Sequence, residues 1–162
     1  MDQDSYSKML SLLKDTKTVK AEAQVFRKIM LDEQIGSKSQ VAEFASVHPV
    51  DGSEFDFEIR CDQRRILAHY SRLNKDESDR IKPFGRYQFL LYADALPGAI
   101  LEAPEQLLEI EFGRSGEFEL AGNDYYCSPS IDFQEAMRNQ VLVEVVNQLQ
   151  DNLRNTTFNI NM

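Results

Sequence analysis

Glu54-Phe55-Asp56-Phe57-Glu58-Ile59-Arg60-Cys61 alternates charged and apolar residues without interruption. A period of two is the mark of a half-buried strand, and here it sets Phe55, Phe57, Ile59 and Cys61 on one face and the charges on the other. Moving toward the C-terminus, Arg65 to Leu73 reads as the returning strand, with a helix as the alternative, and the polar run Asn74 to Asp79 reads as a loop. Tyr87 to Ala93 is apolar nearly throughout, which suits a central strand. Leu96-Pro97-Gly98 and Ala103-Pro104 carry turn chemistry.

A second alternation follows at Glu109-Ile110-Glu111-Phe112 and Glu117-Phe118-Glu119-Leu120, joined by Gly113-Arg114-Ser115-Gly116. A three-residue loop, Arg114 to Gly116 with Gly116 left-handed, pairs Phe112 with Phe118 and Ile110 with Leu120. That register sets Glu111 opposite Glu119, an unfavourable pair of like charges. It predicts Phe55, Phe57, Ile59, Ile110, Phe112, Phe118 and Leu120 buried, with Glu109, Glu111 and Glu119 exposed.

On either side of the strands the period becomes helical. Residues 1–47 read as helices: Met9, Leu10, Leu12 and Leu13 form one apolar cluster, and Val19, Ala23, Phe26, Ile29 and Met30 continue at helical spacing. Asp15-Thr16-Lys17-Thr18 divides them, Gly36 caps the second, and a short third helix over Ser39–Val47 stops before Pro49. After the strands, Asp132 with Glu135 forms a capping box. Phe133, Met137, Val141, Leu142, Val145, Val146, Leu149 and Leu153 then make a broad apolar arc over residues 132–154. The fold class is α+β in a single domain spanning 1–162: N-terminal helices, a mostly antiparallel sheet within 54–127, and a covering C-terminal helix. Val143 lies outside that arc, so the last helix needs a second apolar neighbour. The N-terminal helices or a homodimer through the C-terminal helix would supply it.

The chain has 162 residues, 42% of them hydrophobic and 28% charged, an ordinary globular composition. No stretch approaches the roughly 18 apolar residues of a membrane span. The acidic start Met1-Asp2-Gln3-Asp4 does not resemble an export signal, so the cytoplasm and reduced thiols at Cys61 and Cys127 are expected.

The net charge of −9 is unevenly distributed. Residues 1 to 50 carry seven basic and seven acidic side chains, whereas residues 101 to 162 carry three basic and eleven acidic ones. Between them, Arg60, Arg64, Arg65, Arg72, Lys75, Arg80, Lys82 and Arg86 make a basic segment. If Glu54, Asp56 and Glu58 share a sheet face with Glu109, Glu111 and Glu119, that face is acidic with few internal counter-charges and suits a basic protein partner.

Other chemistry is weakly represented. Ser39 to Val47 resembles the first helix of a helix-turn-helix, but Pro49, Gly52 and three acids occupy the second, which makes nucleic acid an unlikely partner there. No glycine-rich phosphate loop is present. His48, His69, Cys61 and Cys127 have no zinc-ligand spacing, and no element around Cys127 or His69 marks a nucleophile, so no cofactor or catalytic residue is assigned. Adjacent Tyr125 and Tyr126 give the segment before the last helix the composition of a binding surface. The reading that results is a non-enzymatic, cytoplasmic protein-binding protein of the inhibitor, immunity or chaperone/adaptor type. Its partner-binding residues are Glu109, Glu111, Glu119, Tyr125 and Tyr126. The alternative is an enzyme or a nucleotide- or nucleic-acid-binding regulator using the Arg60–Arg86 segment.

Overall fold

The computed structural model describes residues 2–36, 40–92, 103–126 and 131–160. Helix α1 runs unbroken through Gln3–Leu31, with the Asp2 side chain accepting the Ser5 N–H as its cap. The expected break at Asp15–Thr18 is absent. Thr16 turns its hydroxyl back to the Leu12 carbonyl at 2.7 Å and Thr18 to that of Lys14 at 3.1 Å, so the polar run meets its hydrogen-bonding needs inside the helix. The helix stops at Asp32, not at Gly36. The Asp32 carboxylate accepts from the N–H groups of Gln34 and Ile35 and thereby starts the short helix α2, Glu33–Gly36.

The third expected helix is also replaced. A single 3-10 turn over Gln40–Glu43 leads into strand β1, Ala45–Pro49, on the edge of the sheet, where a terminal proline is tolerated. Strands β2 (Phe57–Cys61), β3 (Arg64–Glu77), β4 (Arg80–Tyr92) and β5 (Glu105–Phe112) follow. All five strands form one antiparallel meander in the order β1-β2-β3-β4-β5. The strand of the quoted alternation begins three residues later than its pattern does, leaving Phe55 half-buried ahead of it. Leu96 to Gly98 fall outside the described residues.

Asn74 to Asp79 belongs to a hairpin and not to a loop. Strands β3 and β4 stay paired out to Glu77 and Arg80, joined by Ser78 and Asp79 with φ of 51° and 63°. Every residue from Asn74 to Lys82 is exposed, so the alternation that betrays a strand never appears there. Strand β2 pairs with β3 only as far as Ala68, and β5 pairs with β4 only from Gly85, so the hairpin continues past both neighbours as a two-stranded arm.

The expected ladder between Ile110–Phe112 and Phe118–Leu120 does not form. Gly116 does take a left-handed φ of 74°, and Phe112 and Phe118 do join one core. Strand β6 (Glu117–Leu120), however, pairs with β7 (Asn123–Tyr126) in a separate ribbon. Phe118 turns edge-on to Phe26 of α1, with centroids 5.8 Å apart, and the Glu111–Glu119 apposition is avoided.

Helix α3, Ile131–Ile160, begins one residue before the expected cap Asp132. Its arc of Met137, Val141, Leu142, Val145 and Leu149 is buried against β5, α2, the 3-10 turn and α1. The chain's own helices α1 and α2 thus flank the arc, while Val143, the residue outside it, is 37% exposed. Arg138 is buried as well. Its Nε donates to the Met30 carbonyl at 3.0 Å, fastening α3 to the end of α1, and burial lowers its pKa against the opposing pull of Asp32 and Glu33.

The buried apolar residues of both long helices, the sheet and the ribbon form one cluster on a single face of the sheet. Tyr87, fully buried, is its hub, with ring centroids at 5.0 Å from Phe26, 5.5 Å from Phe57, 5.6 Å from Tyr70 and 6.3 Å from Phe112. Beside it, a Cβ built on Gly85 would lie 2.5 Å from the Phe112 ring and 3.1 Å from that of Tyr70. Gly85→Ala is therefore expected to destabilise the protein by about 1–3 kcal/mol, because the blocking rings are themselves packed. Chemical unfolding checks this, and an unchanged midpoint would show that the rings give way freely.

Candidate functional site

Among the described residues no helix covers the outer face of the sheet, and the strand order decides its charge. Glu58 of β2 and the three glutamates of β5 are separated by β3 and β4, the two strands that hold most of the sheet's cations. Glu58 is 2.7 Å from Arg60 and 3.6 Å from Arg65, Glu109 is 3.4 Å from Arg86, and Glu111 is 2.7 Å from Lys75. Asp56 takes the His69 ring at 3.0 Å and the Tyr70 N–H at 2.8 Å. The expectation of an acidic sheet face with few counter-charges is thus corrected: the face is a lattice of paired charges, most of them between strands. Glu119 lies on another ribbon altogether, and Glu54 precedes β2.

The same lattice occupies much of the basic segment. Arg60, Arg65, Lys75, Lys82 and Arg86 each have a carboxylate within 4.0 Å, and Arg86 also donates to Ser71. Exposed pairs of this kind contribute about 0–1 kcal/mol each. Their consequence here is to remove net field from the face.

Unmatched charge is found on the β6–β7 ribbon. Its register sets Glu117 opposite Tyr126 and Glu119 opposite Asp124, so these four share one face. All three carboxylates are exposed, and none has a cationic partner within salt-bridge distance among the described residues. Tyr126 is 50% exposed and stacks on Phe133 of α3, with centroids 4.5 Å apart. Tyr125 points to the other face, half-buried, and stacks on Phe118 at 5.9 Å. Of the five partner-binding residues expected from sequence, the structure brings Glu119 and Tyr126 onto one surface, backs them with Tyr125, and places Glu109 and Glu111 within the paired lattice. Glu117 and Asp124 were missed because neither the ribbon nor its register is visible before the β5–β6 ladder is given up.

A groove of about 840 Å³ opens elsewhere, between the first four turns of α1, the β3–β4 arm and the turn before β6. Met9, Leu12, Ile81, Pro83 and Phe84 supply its apolar lining. Its charged rim is largely self-paired, through Lys8–Asp4, Lys82–Glu77 and Arg114–Asp15.

Groups with catalytic potential stay apart. His69 is held by Asp56 on the sheet face, and His48 Nε2 lies 2.8 Å from the Ser46 hydroxyl on the edge strand. Among the described residues no three His, Cys, Asp or Glu side chains gather as metal ligands, and no helix is long and apolar enough to cross a membrane. Comparison of the chain with family models, with curated proteins and with solved structures finds no match.

Cys127 lies outside the described residues. Cys61 is a free, buried thiol, and burial together with the neighbouring Asp62 charge raises its pKa. A raised thiol pKa keeps the group protonated, and hence unreactive, through the neutral range. In a Cys127→Ser variant, Cys61 is therefore expected to resist a thiol reagent at about pH 8 until denaturant is added. Prompt stoichiometric labelling of the folded protein would contradict this.

Proposed function

We propose that this is a protein-binding protein without catalytic activity, which presents the Glu117–Glu119–Asp124–Tyr126 face of the β6–β7 ribbon to a basic protein partner. The observation that carries the reading is the contrast in charge matching. Glu58, Glu77, Glu109 and Glu111 on the main sheet have cations beside them, while the three carboxylates gathered on the ribbon stand in solvent around a large amphipathic ring. Unmatched charge of one sign steers a partner of the other sign, and a half-exposed tyrosine supplies contact area at little entropic cost. Tyr126 is held in place by its stack on Phe133, so docking orders little that is not already ordered. The inhibitor, immunity and adaptor types all fit such a surface.

The test begins with a partner isolated on the intact protein. Reversing Glu117, Glu119 and Asp124 to Lys is expected to slow association at least tenfold at low salt, with the difference shrinking as salt rises. Tyr126→Ala is expected to speed dissociation instead. Glu109→Gln with Glu111→Gln, in the paired lattice, is expected to leave both rates within about twofold. Equal effects from the ribbon and the lattice would overturn the assignment.

A further inference from the structure

Helix α1 has two apolar stripes, of which the fold uses only one. Thr16, Val19, Ala23, Phe26, Ile29 and Met30 face the core and are buried. Tyr6, Met9, Leu10 and Leu13, at the i, i+3, i+4, i+7 spacing of a helix-pairing seam, are 53%, 39%, 47% and 57% exposed. At about 100° of rotation per residue these four fall within an arc of about 100°, to one side of the core stripe. Met9 also reaches the groove beside the β3–β4 arm, while Tyr6, Leu10 and Leu13 look outward. Helix faces left to solvent rarely carry four large apolar residues in eight positions.

The charges at the two ends of the seam indicate what covers it. On the same wheel Asp2 precedes the stripe and Lys17 follows it, both within the arc and both exposed. Lys17 has no carboxylate within salt-bridge distance among the described residues. We infer that the stripe pairs with the same stripe of a second copy of this chain, the two α1 helices running antiparallel about a twofold axis between residues 9 and 10. That arrangement sets Tyr6 against Leu13 of the second copy and Met9 against its Leu10. It also sets Asp2 against Lys17 of the second copy, twice over by symmetry. A parallel pair would place Asp2 beside Asp2 and Lys17 beside Lys17. The charge pattern is therefore complementary to itself in one direction only.

The interface is short. A helix pair of four turns buries less than the roughly 1,200 Å² of a standard stable complex, so the dimer has a dissociation constant in the micromolar range. It uses neither the β6–β7 ribbon nor α3, and its failure would leave the proposed partner surface untouched.

Sedimentation equilibrium on the full chain from about 1 to about 500 µM tests it. The mass is expected to climb from 18.7 kDa toward twice that value. Leu13→Lys should hold the protein monomeric while leaving its thermal melting in dilute solution unchanged, since Leu13 contributes nothing to the core. Lys17→Asp, which sets two acids together at each end, should weaken the dimer about tenfold at low salt. In a parallel pair the same change would only replace one like-charge contact with another. A monomer mass at every concentration overturns the inference, and so does a dimer indifferent to Leu13→Lys. A dimer indifferent to Lys17→Asp overturns the antiparallel pairing.

Discussion

The Tyr87 side chain is the constraint from which the rest of the molecule is arranged. It sits near the centre of β4, an interior strand of the sheet, and packs against rings contributed by α1, β2, β3 and β5. Its hydroxyl donates to the Phe55 carbonyl at 2.7 Å and lies 3.2 Å from that of Ala23 in α1. A tyrosine this deep is tolerable only because its polar end is satisfied. In meeting that need it fixes both the height of α1 over the sheet and the entry of the chain into β2. Phe26, held in the same cluster, receives Phe118 edge-on, and this contact draws β6 away from β5. The ribbon that bears the unmatched acids is thus positioned from the middle of the core.

The order of strands has an electrostatic outcome that composition conceals. A chain with net charge −9 could have presented a strongly acidic sheet. Placing cation-rich β3 and β4 beside Glu58 and acidic β5 instead pairs Glu58, Glu109 and Glu111 at close range. On the small ribbon three exposed carboxylates gather without such partners. Unpaired acids clustered on one small surface guide a basic partner more selectively than the same charges spread evenly.

How much of this was legible depended on whether a residue had a buried face to report. Phe57–Cys61 and the α3 arc each pack on the core on one side, and their periodicity disclosed element and face, while Tyr87–Tyr92 was disclosed as a strand by its nearly continuous apolar run. The tip of the β3–β4 arm, residues 74–82, is exposed on both sides, so it looked like a polar loop. Strand β1, only five residues long and ending at Pro49, offered two buried positions, Ala45 and Val47, too few to displace a helical reading. Met9, Leu10 and Leu13 misled in the opposite direction: their spacing is right for a core stripe, but the α1 stripe that packs on the core lies to one side of them. At the candidate site, Glu119 and Tyr126 could be named from composition. Their union with Glu117 and Asp124 required the β6–β7 register, which the two-residue turn Ala121–Gly122, with φ of 52° and 79°, sets.

The close fit at Gly85 bears on how this fold can diverge. Position 85 has no room for a side chain because the ring of Phe112, on the adjacent strand, fills the space above it. Neither residue can drift in size alone: a larger residue at 85 requires a smaller one at 112, and a smaller residue at 112 leaves a void beside Tyr87 unless 85 grows. The two positions are bound to change together across descendants of this chain. Their paired substitution would be a mark by which a distant relative could be recognised after the surface charges had been lost.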